Sequence, residues 1–217
     1  MDGNGRWAQA KALPRTTGHY HGLKAMKKII EDVYDLGIKS VSFYAFSLEN
    51  WKRPKTEVNY LIKLLSKEIN NPDLKKWLVE HQVRFIWNGF DVGLHPSLIK
   101  KINNLMELTK DFSKMNLQIM FNYGSQQKIV AAANYLININ QEINQDSLMA
   151  VLDPYKLGPI DLLIRTSGEQ RLSNFMLYEL SYAEIIFNQK YWPDYNKESL
   201  LIDLEKFANK SRRYGAL

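Results

Sequence analysis

Apolar residues along this chain alternate between two rhythms. At Leu23, Met26, Ile30 and Val33 they recur every three or four positions, which is one face of a helix, and Gly37 follows as a residue suited to a left-handed C-terminal stop. Residues 41–46 (VSFYAF) then run together as β-branched and aromatic side chains, the mark of a buried strand. The alternation repeats. Val58, Leu61, Leu65 and Ile69 form a helical stripe introduced by Pro54, Thr56 and Glu57, residues 83–87 read as a strand closed by an Asn88-Gly89 turn, and Leu98, Ile102, Leu105 and Phe112 mark a helix from about Pro96. A strand over 117–121 is followed by a helix carrying Ile129, Ala133, Leu136 and Ile137, then by a short helix around 147–152 and a strand ending at Arg165. Residues 183–187 are expected as one more strand, and Leu200, Leu201, Leu204 and Phe207 mark a last helix. Strands alternating with helices predict an α/β fold with a mostly parallel sheet flanked by helices, and no linker-like shift in composition divides residues 1–217, so a single domain is expected.

Composition narrows the classes of function. The 217 residues are 45% hydrophobic and 24% charged, and no apolar run approaches the roughly 20 residues of a membrane-spanning helix. The absence of cysteine excludes disulfides and thiolate metal sites and suits a reducing compartment. The start, MDGNGRWAQAKA, lacks the apolar core of a signal peptide, so a cytoplasmic location is expected. A formal charge of +6 favours anionic partners: phosphorylated small molecules, anionic lipid surfaces or nucleic acid. Charge alone does not separate these three.

Chemistry collects at the predicted strand ends. Directly after the strand that ends at Arg165 come Ser167, Gly168, Arg171, Leu172 and Ser173, which offer guanidinium, hydroxyl and backbone N–H groups to a phosphate or diphosphate. A solvated surface loop is the plainer reading of the same residues. The chain opens on Asp2-Gly3-Asn4-Gly5-Arg6-Trp7, where two glycines allow an anion-binding nest and Asp2 at its lip suits a divalent cation; an ordinary Asp-Gly, Asn-Gly turn competes. After 41–46 follow Ser47, Leu48, Glu49, Asn50, Trp51 and Arg53, placed beyond a strand's carboxyl end, where open parallel sheets bind ligands. Walker, dinucleotide, nucleophile-elbow and zinc-protease motifs are all missing, and no Asp-Asp pair occurs.

Taken in order, DGNGRWA at 2–8, Arg15 with His19, YAFSLENWKRP at 44–54, NYG at 122–124 and IRTSGEQRLSNF through AEIIF to WPDY at 164–195 resemble the cis-prenyltransferases of the undecaprenyl diphosphate synthase type, across nearly the whole chain. The resemblance implies an apolar tunnel, a homodimer and an enzyme that condenses isopentenyl diphosphate onto an allylic diphosphate, with farnesyl diphosphate the expected primer and a long polyprenyl diphosphate the product. It implies Mg²⁺ at Asp2, with Glu184 as a second metal-associated carboxylate. Gly3, Asn4, Gly5, Arg6 and Arg15 match the cradle for the allylic diphosphate, flanked by Trp7 and His19, while Arg165, Arg171, Leu172 and Ser173 match the isopentenyl diphosphate site. Ser47, Leu48, Glu49, Trp51 and Arg53 lie between as substrate-binding residues, with Asn50 matching a residue tied to proton removal. Arg213 and Gly215 match a C-terminal Arg-x-Gly that serves the partner subunit's site.

The pattern departs from the family at definite points. Members carry an apolar strand and a His before the Met-Asp-Gly-Asn segment, whereas this sequence starts at Met1; Ser167 stands where Gly is usual, and Ser125-Gln126 replace the common Gly-Arg. Two other classes stay open. A non-catalytic partner subunit would keep the fold without the chemistry, against which Asp2, Asn50, Arg165, Arg171 and Ser173 all argue. A nucleic-acid binder would use the charge and the 12% aromatic content, but no recognition signature supports it, and contact with a membrane surface is the alternative use of the charge.

Overall fold

The structure, a computed structural model, describes residues 1–210; Arg213 and Gly215 lie outside them. In chain order it runs α1 (Asn4–Ala10), α2 (Arg15–Asp35), β1 (Ser40–Ser47), a 3₁₀ helix (Leu48–Lys52), α3 (Lys55–Ile69), α4 (Pro72–Glu80), β2 (Val83–Asn88) and α5 (Pro96–Thr109). There follow β3 (Met115–Tyr123), α6 (Ser125–Asn138), α7 (Gln145–Leu152), β4 (Leu162–Arg165), β5 (Glu184–Phe187) and α8 (Lys197–Ala208). Among the described residues all three strand pairings are parallel, as the strand–helix alternation predicts.

Burial explains the central place of β3. Its side chains alternate between two cores as far as Phe121: Leu117, Ile119 and Phe121 join the larger one with Ile29, Val33 and Phe43 and Met120 a smaller one with Leu163, Phe175 and Met176, while past Asn122, at φ 58°, Tyr123 also turns to the smaller one. β1 and β4 obey the same alternation, since Phe43 and Ile164 face the larger core and Tyr44 and Leu163 the smaller. Both strands therefore lie in one layer. Yet hydrogen bonding divides that layer into a sheet of order β1-β3-β2 and a pair β4-β5. Between the facing edges of β1 and β4 runs a cavity of about 1110 Å³, lined by every residue of both strands.

Three local expectations need correction. Residues 4–10 form a helix rather than a turn nest, because Gly3 at φ 102° reverses the chain and the N–H of Trp7 closes on the Gly3 carbonyl at 2.8 Å. Helix α5 ends at Thr109, so Phe112 lies beyond it. Helix α4, capped by the Asn71 side chain at the N–H of Asp73, is not announced by the apolar pattern. Gly37 does end α2, at φ 73°.

Candidate active site

Asp2 is fixed by its backbone before its side chain is considered. Its N–H donates to Thr166 Oγ1 at 2.9 Å, and its carbonyl accepts from Thr166 Oγ1 at 2.8 Å and from the N–H of Trp192 at 3.0 Å. The carboxylate then receives Arg165 Nη2 at 2.9 Å on Oδ2, and the Gly3 N–H at 2.7 Å and Arg6 Nη2 at 3.3 Å on Oδ1. Burial alone would raise the Asp2 pKa, but the hydrogen bond and charge of Arg165, the Gly3 N–H and the charge of Arg6 hold it below the ordinary carboxylate value. Arg165 also donates through Nη1 to Ser173 Oγ at 2.8 Å and to the Arg171 carbonyl. Arg6 reaches Glu169 at 2.6 Å and Ser167 Oγ, and Glu169 takes Arg171 at 2.5 Å. Opposite charges thus alternate along one wall from Arg171 through Glu169, Arg6 and Asp2 to Arg165. Ser167, at φ 77°, occupies a left-handed backbone that a glycine would hold without strain, and its hydroxyl gives Arg6 an acceptor.

A second cationic group stands on a buried carboxylate that sequence reading takes only for a helix-start residue. Glu57 accepts from Arg15 Nε at 3.1 Å, from Arg53 Nη1 at 3.0 Å and contacts His19 Nε2 at 2.9 Å. Burial would raise its pKa, but hydrogen bonds from Arg15 and His19 and the charge of Arg53 take it down to about 2. Burial lowers the His19 pKa against the pull of Glu57. Nearby, Ser47 and Asn50 bracket the start of the 3₁₀ helix reciprocally, and the Asn50 carbonyl oxygen accepts from the Ser47 N–H at 3.2 Å. That bond commits the oxygen of Asn50 and leaves its NH₂ as the group able to turn to a ligand.

Both walls line the same cavity. Asp2, Gly3, Asn4, Gly5 and Arg6 border it with Arg15, His19, Ser47, Asn50 and Arg53, and so do Arg165, Arg171, Leu172 and Ser173. Its depth is apolar, with Ile29, Val33, Phe43 and Leu61 among the lining residues. Four expected substrate-binding residues are placed differently. Trp7 is buried with Nε1 on Asp194 at 2.7 Å, and Trp51 donates to Asn122 Oδ1 at 2.6 Å. Glu49 accepts from Asn174 at 2.9 Å, and Leu48 packs against Gly124; these residues brace the site from outside the cavity lining.

Glu184 is not brought to Asp2 within this chain. It opens β5 opposite Leu162, whereas Arg165 pairs with Phe187 at the other end, about 10 Å along the strands, and its carboxylate takes Lys210 at 2.6 Å. The reason is register: three residues of strand separate the two ends. Among the described residues no cluster of three metal-ligating side chains occurs. Asp2 as a single half-buried carboxylate fits Mg²⁺, which commonly takes one or two protein oxygens and completes its shell with substrate phosphates and water.

Comparison with known proteins gives consistent results. A family model described as putative undecaprenyl diphosphate synthase matches residues 1–215. The isoprenyl transferase of Staphylococcus saprophyticus is 40% identical over 232 residues, covering 100% of this chain and 87% of that protein. The ditrans,polycis-undecaprenyl-diphosphate synthase ((2E,6E)-farnesyl-diphosphate specific) of Micrococcus luteus is also 40% identical, with 100% and 89% covered. Among solved structures, lavandulyl diphosphate synthase from Lavandula x intermedia in complex with dimethylallyl diphosphate superposes with a TM-score of 0.93 at 29% identity, covering 99% of this chain and 95% of that one. A probable undecaprenyl diphosphate synthase from Campylobacter jejuni gives a TM-score of 0.81 at 31% identity, with 90% and 92% covered.

Proposed function

The chain belongs to the undecaprenyl diphosphate synthase family of prenyltransferases, and from that membership we propose that it extends an allylic diphosphate, farnesyl diphosphate as primer, by repeated addition of isopentenyl diphosphate to a long polyprenyl diphosphate. The observation that carries this reading is a cavity with cations on two walls, an aspartate set among the cations of one of them and an apolar depth. Two diphosphates held close repel strongly, so a site for both needs several fixed cations. Arg6 and Arg15, with the backbone of Gly3, Asn4 and Gly5, form the allylic seat beside His19, and Arg165, Arg171, Leu172 and Ser173 form the isopentenyl seat.

In each addition the C1–O bond of the allylic diphosphate breaks as the isopentenyl double bond attacks C1, a proton leaves the isopentenyl unit, and inorganic diphosphate departs. The arginines stabilise the charge that develops on the leaving group, and they carry it without any change of protonation. Bound Mg²⁺ would supply further charge neutralisation at those oxygens, with Asp2 as its protein ligand. The Asn50 NH₂ orients the isopentenyl diphosphate, and a substrate phosphate oxygen receives the proton. Ser47 and Arg53 line the space between the seats, and Leu48, Glu49, Trp51 and Trp7 hold its frame. Glu184 serves a metal only through an arrangement other than the one within this chain.

The working unit is one domain over residues 1–217, paired as a homodimer in which Arg213 and Gly215 complete the neighbouring site. No helix among the described residues is long and apolar enough to cross a membrane, and contact with an anionic lipid surface on the cytoplasmic side suits the +6 charge and a product with a long apolar tail.

The test is incubation with farnesyl diphosphate, labelled isopentenyl diphosphate and Mg²⁺, with products resolved by length. A ladder ending in one long product, lost in Asp2→Ala and on chelation of the metal, is expected. A folded protein that incorporates no label, or an Asp2→Ala variant that keeps full activity, overturns the reading.

A further inference from the structure

Glu169 sits between an arginine of each proposed diphosphate seat. Its Oε1 accepts from Arg6 Nη1 at 2.6 Å and its Oε2 from Arg171 Nη1 at 2.5 Å, so one carboxylate occupies one cation from each diphosphate seat. The backbone is built to place it there. Ser167 and Gly168 are both left-handed, at φ 77° and 73°, and their N–H groups are tied to the carbonyls of Lys190 at 2.7 Å and Asn188 at 2.9 Å. Gly168 holds its left-handed backbone without the strain a side chain would bring, while the Gln189 side-chain end beside it is free to shift. Two successive left-handed residues fold the chain back, and the next side chain, that of Glu169, comes down on α1.

Resting on the two-seat reading above, we propose that Glu169 is a resident anion that couples the seats. With no substrate present its two oxygens stand in for diphosphate oxygens on Arg6 and Arg171. A diphosphate arriving at either seat displaces one of these oxygens. The remaining pair then lacks the support of the first, so the second diphosphate finds its arginine easier to take. The first ligand therefore binds more weakly than the bare arginines would allow, and the two bind with positive coupling. Arg6 and Arg171 are 40% and 59% exposed, and pairs of this exposure bias an equilibrium by about two- to fivefold each, enough to couple the seats without blocking them. A lone inorganic diphosphate left after reaction is correspondingly easier to release.

Calorimetric titration with inorganic pyrophosphate, at fixed ionic strength and Mg²⁺, tests this on the wild type, Glu169→Gln and Glu169→Asp. A cooperative two-site isotherm is expected for the wild type. Glu169→Gln should bind the first pyrophosphate roughly twofold to fivefold tighter and lose the cooperativity. Glu169→Asp keeps the charge but is one methylene too short to span both arginines, so its cooperativity should also vanish while its affinity rises less. Circular dichroism confirms that each variant is folded. Weaker or unchanged first-site binding in Glu169→Gln, or cooperativity retained in Glu169→Asp, overturns the coupling and leaves the two seats standing. If the wild type binds no pyrophosphate, the seats themselves fall, and the coupling with them.

Discussion

Glu57 shows how a residue with an ordinary local explanation can have a larger role. A glutamate in the first turn of a helix suits the helix dipole, and nothing in the pattern around it suggests more. In the fold it is buried and joins Arg15 and His19 of α2 to Arg53, which follows the 3₁₀ helix. Its folded pKa of about 2 lies below the ordinary 4.5, so its contribution to stability is complete above pH 4.5 and is lost as the pH falls toward 2. Glu57→Gln should cost about 1–3 kcal/mol at pH 7 and flatten the acid limb of a plot of urea midpoint against pH. The variant should also raise KM for the allylic substrate, since Arg15 and Arg53 lose the group that orients them. Arg6, Arg15, Arg165, Arg171 and Asp2 were legible as candidates through the ordered run of motifs in which they stand, since a solvated surface loop or an ordinary turn accounts for the same charges when each stretch is read alone. The bracing role of Trp7 and Trp51 was not, because an aromatic beside a cluster of charges looks the same whether it meets a ligand or a buried partner.

Helices α1 and α2 meet through small residues, and that contact sets the position of Gly3 to Arg6, the residues proposed as the allylic cradle. A Cβ on Gly18 would lie 1.9 Å from the Asn4 carbonyl oxygen, and one on Gly22 would lie 2.1 Å from Asn4 Oδ1. The obstacle at Gly18 cannot swing aside cheaply, because it is backbone. Gly18→Ala should therefore push α1 off α2, destabilise the protein by about 1–3 kcal/mol and lower kcat/KM more than the loss of folded protein explains, read by urea denaturation alongside product assays. At this scale the strands and the long amphipathic helices were legible, since each has enough turns or alternations to declare its period. Helix α1 was not. Its seven residues include no repeat of an apolar face, and its two glycine-containing steps read as turns until Gly3 is seen to start the helix. Helix α4 carries Leu74, Trp77 and Leu78, too few positions over nine residues to separate a helix from a loop.

Across the whole molecule, the parallel α/β arrangement followed from alternation alone, but the choice of strand neighbours did not. Pairing is a long-range matter, and the pattern that makes β1 and β4 buried strands is the same whether or not they bond to each other. The division into two sheets has a measurable signature. Amide hydrogens on β3, bonded on both sides, should exchange slowest, and those of β4, a four-residue strand bonded on one side, should exchange at least tenfold faster. Equal protection on the two strands would show that the sheets are joined. The division also separates the chemistry, because Arg165 and Arg171 travel with β4 while Arg15, His19 and Arg53 are anchored near β1 and α2. Coulomb energy between two diphosphates varies inversely with their separation. On the two-seat reading proposed above, that repulsion is set by how far apart the two groups of arginines are held, as the opening of a pair of callipers is set by what lies between the jaws.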